Sequence, residues 1–133
     1  MSAERCERIM DIYLNEILGQ RKFERIPEIA GPKMVDHTLP GKFGPAALDD
    51  HARGFCANTP DVKIEVLNIF ANEKTAAGIW KWYGEPSQPS AVSTNGTPIV
   101  PRYVCSVFEI EDGKIQDYRV FVDALDVFTQ FMQ

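Results

Sequence analysis

The sequence predicts an α+β fold in one domain: a curved antiparallel sheet packed on N-terminal helices, drawn into a cone with its mouth at one end. Three observations carry this. Helical spacing of apolar residues is concentrated before Pro60 and after Asp123, with alternating runs between. Helices come first and strands follow, the order of an α+β rather than a parallel α/β chain. Asp112-Gly113 supplies the two φ > 0 residues of a tight type I′ turn, which makes the last two strands antiparallel neighbours.

In order, Glu4 to Leu18 reads as the first helix. Ile9, Ile12, Tyr13 and Ile17 form its apolar face, broken only by Glu16, and Gly19 is placed as its C-terminal stop. Lys22 to Ile29 is a short second helix that must hold Pro27 in its first turn or break there. Lys33 to Thr38 is a short extended segment, followed by the Gly- and Pro-dense loop Leu39 to Pro45. Ala46 to Ala57 is the third helix, with Leu48, Ala52 and Phe55 inward and His51 expected on the solvated side. Four strands follow: Asp61 to Phe70, Thr75 to Tyr83, Ile99 to Ile110 and Ile115 to Val122. Glu85 to Pro98 is the one long loop, read as a lid, a binding loop or a disordered segment. Ala124 to Met132 closes the chain as a helix.

The 133 residues, spanning 1–133, suffice for one core and not two. A 44% hydrophobic and 25% charged composition is that of an ordinary globular domain. The net charge of −5, with Lys and Arg scattered, argues against nucleic acid as a partner, because phosphate binding needs a basic face. No apolar run approaches the ~20 residues that span a bilayer, so no membrane partner is expected. The charged start MSAERCER has no apolar core of a secretory signal. Cys6, Cys56 and Cys105 are too few and too scattered for a disulfide framework, which reads as a reduced, cytoplasmic protein. Two histidines give no multi-histidine metal site, and there is no phosphate loop or nucleophile elbow. No metal or other cofactor is expected.

The best candidate for chemistry is Asp123, a carboxylate at the exit of a buried strand, four residues after Arg119. As a general acid or base it would gain from burial among apolar side chains, which raises a carboxyl pKa. Equally, Asp is a preferred N-cap residue and the last helix starts immediately after it. Arg119 and Phe121 share its strand parity. Arg119 would orient a substrate carbonyl or stabilise an enolate, or else pair with Asp117 or Asp123. Trp80 and Trp82 point to one face of their strand, Lys81 and Tyr83 to the other, and a one-residue slip would exchange the faces.

The strings VDHTLPG at 35–41, TPDVKIEV at 59–66 and VFEIEDGKIQDYRVFVD at 107–123, before an apolar helix ending FTQF, resemble the nuclear transport factor 2-like superfamily. Within it they are similar to the SnoaL-like polyketide cyclases, with limonene epoxide hydrolase as a cousin. The resemblance implies cofactor-free acid/base catalysis on a small, mostly apolar carbonyl compound, a cyclisation or isomerisation in an enclosed cavity. Asp123 falls where those cyclases carry the Asp that acts as acid or base. The resemblance further implies that His37, Lys81, Arg119, Phe121 and Tyr103 line the substrate site. It leaves Trp80 and Trp82 outward, as anchors of a homodimer formed through the convex sheet face. The same fold also serves non-catalytic ligand-binding or dimerisation modules. Epoxide hydrolysis is a third possibility, weakened because Val120, Ile79 and Lys81 stand where the hydrolase needs Asp, Arg and Asp.

Overall fold

The computed structural model describes residues 2–88, 91–93 and 95–132. Helix α1 (Ala3–Asp11) is capped by the Ser2 hydroxyl, which accepts from the Arg5 amide. It runs on into a π-helical segment, Ile12–Leu18. Ile9, Met10, Ile12, Tyr13, Leu14, Ile17 and Leu18 are all buried, each large aliphatic side chain contributing about 1.5–3 kcal/mol. Glu16, the polar residue on this face, is neutralised by Arg25 at 2.6 Å and Arg8 at 3.0 Å. Gly19 continues the right-handed helical backbone; the left-handed residue of this turn is Arg21, with φ 58°. The expected glycine stop is therefore displaced two residues along the chain.

Pro27 sits in the first turn of α2 (Ile26–Ile29), where its missing N–H costs nothing. Strand β1 (Ala30–Asp36) leads through the Gly- and Pro-rich loop to α3 (Gly44–Asn58). Strands β2 (Lys63–Ala71), β3 (Thr75–Tyr83), β6 (Tyr103–Glu111) and β7 (Lys114–Val122) are the predicted antiparallel set, the third starting at Tyr103 and not at Ile99 as expected. A two-residue pair, β4 (Ala91–Val92) and β5 (Pro98–Ile99), folds the long loop on itself. Within that loop Pro89, Ser90 and Thr94 lie outside the described residues. Helix α4 (Ala124–Phe131) ends the described chain.

The main sheet has the order β1-β7-β6-β3-β2, with β1 added parallel to β7 at one edge. Asp112 and Gly113 both have positive φ, 53° and 74°, as the β6–β7 turn requires. One face of the sheet takes α1 and the π-helix. Gly78 makes that contact possible, since a Cβ there would lie 2.7 Å from Leu14 Cδ1. On this inner face stand Ala76, Trp80, Trp82, Val104, Ser106, Phe108 and Tyr118, all buried. Alternation then puts Ile79, Lys81, Tyr83, Tyr103, Cys105, Arg119 and Phe121 on the outer face. This corrects the expected side for the β3 residues: the tryptophans are 4% and 5% exposed and face inward, and Lys81 faces outward. The three cysteines are free thiols. No helix among the described residues is long and apolar enough to cross a membrane.

Candidate active site

Between the inner face of the sheet, the π-helix and α3 lies a pocket of about 250 Å³. Its walls are mainly apolar and aromatic: Leu18, Phe55, Trp80, Trp82, Val104 and Val120 among them. Phe55 packs edge-on to both Trp80 and Trp82, at 5.8 and 5.2 Å between ring centroids. Pro86 and Gln88 of the long loop also line it, and that loop is tied to the end of α3 by Ser87 and Gln88 amides donating to Asn58.

Two polar groupings enter this wall. The first is Asp36 with His51. Asp36 follows Met34 by two residues on β1, so it shares the buried face of that strand and is 1% exposed. Its Oδ1 accepts from the Thr38 amide at 2.8 Å and the Thr38 hydroxyl at 2.6 Å. Its Oδ2 accepts from His51 Nδ1 at 2.8 Å. Burial pushes the Asp36 carboxyl up, but the hydrogen bonds from His51 and Thr38 outweigh it and hold the group below its ordinary value. An ionised Asp36 keeps the proton of His51 on Nδ1. Nε2 is then the ring nitrogen with a free lone pair, on a side chain that lines the pocket. The imidazole is stacked on Tyr118, 5.0 Å between ring centroids and 22° from parallel, which fixes its plane.

The second grouping is a chain of hydroxyls. Trp80 Nε1 donates to Ser106 Oγ at 3.1 Å, Ser106 Oγ lies 3.3 Å from the Tyr118 hydroxyl, and Tyr118 lies 3.0 Å from the Tyr13 hydroxyl. The indole and three hydroxyls bring four hydrogens to three contacts. One hydroxyl hydrogen is therefore left without an acceptor among the described residues. Burial, above all, raises the pKa of both tyrosines, and the nearby Asp36 charge adds to it. Both are neutral donors over the whole physiological range. Tyr13 and Tyr118 line the pocket beside His51, so base and donor face the same space. The π-helix matters here: its wider turn carries Tyr13 and Leu18, and such segments recur at functional sites.

The residues expected at the site fall elsewhere. Asp123 is exposed and caps α4, its Oδ1 accepting from the Leu125 amide at 2.9 Å and the Asp126 amide at 3.2 Å. Arg119 is on the outer face, 3.4 Å from Asp117. Phe121 is beside it, 56% exposed. Lys81 lies over the rings of Tyr83 and Tyr103, again on the outer face. His37 follows Asp36 and so points the opposite way; its Nε2 is 2.6 Å from Asp117 Oδ1, clamping β1 to β7 outside the pocket. The histidine in the pocket is instead His51, which corrects its expected solvated position. The signal was available in part: Asp36 alternates with the apolar Met34, and a strand residue so placed is inward and needs a partner.

The family model of the SnoaL-like polyketide cyclases matches residues 8–131, and the chain belongs to that family. That family is one of polyketide cyclases. Among solved structures, the chain is similar to TsrD from Streptomyces laurentii, with a TM-score of 0.75, 14% identity, and coverage of 98% of this chain and 97% of that one. It is also similar to a SnoaL-like polyketide cyclase from Agrobacterium tumefaciens, with a TM-score of 0.68, 18% identity and coverage of 92% and 96%. An LEH-like epoxide hydrolase from M. tuberculosis gives a TM-score of 0.68, 17% identity and coverage of 98% and 91%. At these identities the likeness establishes the nuclear transport factor 2-like fold. No curated protein matches the sequence.

Proposed function

We propose that this chain is a cofactor-independent acid/base catalyst acting on a small, mostly apolar carbonyl compound, by cyclisation or isomerisation, with His51 as the proton carrier. The observation that carries this is His51, held by the buried Asp36 behind it, lining a largely apolar pocket beside a hydroxyl donor. His51 Nε2 removes a proton from the carbon next to the carbonyl. The C–H electron pair becomes the carbon–carbon double bond of an enol or enolate. The free hydroxyl hydrogen of the Tyr13–Tyr118 chain is donated to the developing oxyanion, where a preformed donor in a dry site counts most. Asp36 holds the tautomer and balances the imidazolium. In a cyclisation, the enol carbon attacks a second carbonyl of the same molecule and His51 returns the proton to the new alkoxide. In an isomerisation, His51 returns it to another carbon.

Proton–deuterium exchange at the α-carbon tests this without the natural substrate. Acetophenone in D₂O, followed by NMR, should exchange faster with wild-type protein than with His51→Gln. Asp123→Asn should leave exchange unchanged. Loss of exchange in Asp123→Asn but not in His51→Gln would return the role to Asp123. Binding of the ketone with no exchange by the wild type would favour a non-catalytic binding module.

A homodimer through the outer sheet face belongs to the same reading. Ile79, the half-buried Cys105 and Phe121 lie in register across β3, β6 and β7, and form an apolar row, exposed at both ends, with the exposed Tyr83 and Tyr103 to one side. A sheet face of this kind is what a second copy would cover.

A further inference from the structure

We infer that the pocket has a second polar subsite, at Thr59, and that its ligand carries a second oxygen on the side of the ring opposite the reacting carbonyl. Thr59 is fully buried, it lines the same pocket as His51, and its hydroxyl has no hydrogen-bond partner among the described residues. A buried hydroxyl left unpaired costs the empty protein stability, and native structures keep few of them. Its methyl group packs against Gly84, a contact that a valine would make equally well. Asn58 beside it also lines the pocket; its Oδ1 is taken by the Gln88 amide, which leaves its NH₂ group as a further donor.

The placement along α3 sets the distance. His51, Phe55 and Thr59 follow one another at four-residue steps along one side of the helix and its C-cap, and all three line the pocket. At 1.5 Å per residue, His51 and Thr59 are roughly 12 Å apart along the axis. Allowing about 3 Å for a hydrogen bond at Thr59 and about 3–3.5 Å for the approach of His51 Nε2 to the α-carbon leaves roughly 6 Å between the ligand's reacting carbon and its distal oxygen, the width of one six-membered ring with a substituent at each side. Phe55, with Trp80 and Trp82 edge-on to it, walls the interval between them and suits a flat apolar ring. A volume of about 250 Å³ falls below the ~300–1,000 Å³ usual for drug-sized ligands, so the ligand has one ring or two.

This rests on the pocket being the substrate site, but binding alone reads it, so it survives or fails independently of proton transfer by His51. Trp80 and Trp82 are the only tryptophans and both line the pocket, so their fluorescence reports occupancy. Acetophenone and 4-hydroxyacetophenone differ only in the oxygen across the ring. Wild-type protein should bind 4-hydroxyacetophenone about tenfold more tightly, the worth of one hydrogen bond in a dry pocket. Thr59→Val should abolish the preference and Thr59→Ser should keep it. Thr59→Val should also melt no lower than wild type, because it removes an unpaired hydroxyl without changing shape. Equal binding by wild type, a preference that persists in Thr59→Val, a clear fall in its melting temperature, or no binding of either ketone would each overturn the inference.

Discussion

Replacing Asp36 by Asn separates the structural part of the site from its chemistry. The side chain keeps its size, and its remaining oxygen still accepts from the Thr38 amide and hydroxyl. The group facing His51 becomes an NH₂, a donor against a donor, at a contact of 2.8 Å. The imidazole relieves this by moving its proton to Nε2 so that Nδ1 accepts, which turns the nitrogen left for the substrate from base to donor. One charge-assisted hydrogen bond between largely buried groups is worth about 2 kcal/mol, a fall of roughly 8 °C in Tm for a domain of this size. Loss of the base should slow α-carbon exchange by at least about 10²-fold. The pH dependence has a definite sign. The folded pKa of Asp36 lies below its ordinary 3.8, so its stabilising contribution is fully present above that value. It disappears as the pH falls through the folded value. The Tm gap between wild type and Asp36→Asn should therefore be open at pH 7 and close in acid well below 3.8. Thermal melts by circular dichroism across pH, with NMR exchange at neutral pH, measure both. A variant as stable as wild type at pH 7, a gap that acid does not narrow, or undiminished exchange would refute the reasoning.

Tyr118→Phe removes the middle of the hydroxyl chain and leaves Ser106 and Tyr13 without it; it should cost about 1–2 kcal/mol in chemical denaturation and slow exchange by roughly 10²–10³. Asp123→Ala should cost only the cap of α4, about 1 kcal/mol, and Arg119→Ala should leave α-carbon exchange at the wild-type rate. Gly44→Ala should be much more damaging, about 2–4 kcal/mol by urea melt, because φ is +72° and the added Cβ would lie 2.6 Å from the Pro32 carbonyl oxygen at the start of the helix that carries His51. Ile79→Glu with Phe121→Glu should turn a dimer into a monomer in sedimentation velocity; an unchanged wild-type monomer would remove the outer-face interface.

The fold was largely legible because its cues are local. Pro27 fits a helix only at its first turn, Asp112-Gly113 fits only a turn with two positive φ values, and the run Thr75–Tyr83 is a strand by composition alone. The exception, Gly19, shows the limit. An added Cβ there would crowd the Leu14 carbonyl oxygen at 3.3 Å, so the glycine answers to packing and not to a turn of the chain. A glycine chosen for packing and one chosen for backbone conformation look alike in a sequence.

The site was less legible, and for a physical reason. Each strand offers two faces, and on β3 both carry aromatics: Trp80 and Trp82 on one, Tyr83 beside Lys81 on the other. Hydrophobicity cannot choose between them when the outer aromatics shelter a lysine and the inner ones surround a pocket. Size could have chosen. Ala76 and Gly78 share parity with the tryptophans, and only a face that receives a helix needs residues that small. With that parity set, Lys81 turns outward. On β7 the inner residues become Tyr118, Val120 and Val122, and Arg119 and Phe121 leave the pocket with Lys81. The same alternation on β1 sends Asp36 in and His37 out. What remains hidden is the partner of Asp36, because His51 is reached across a loop and two turns of α3, and helical spacing alone gives no reason to turn it inward. A buried carboxylate in search of a donor supplies that reason, and it is why the proposed proton carrier lies in the middle of α3 and not at the end of the last strand.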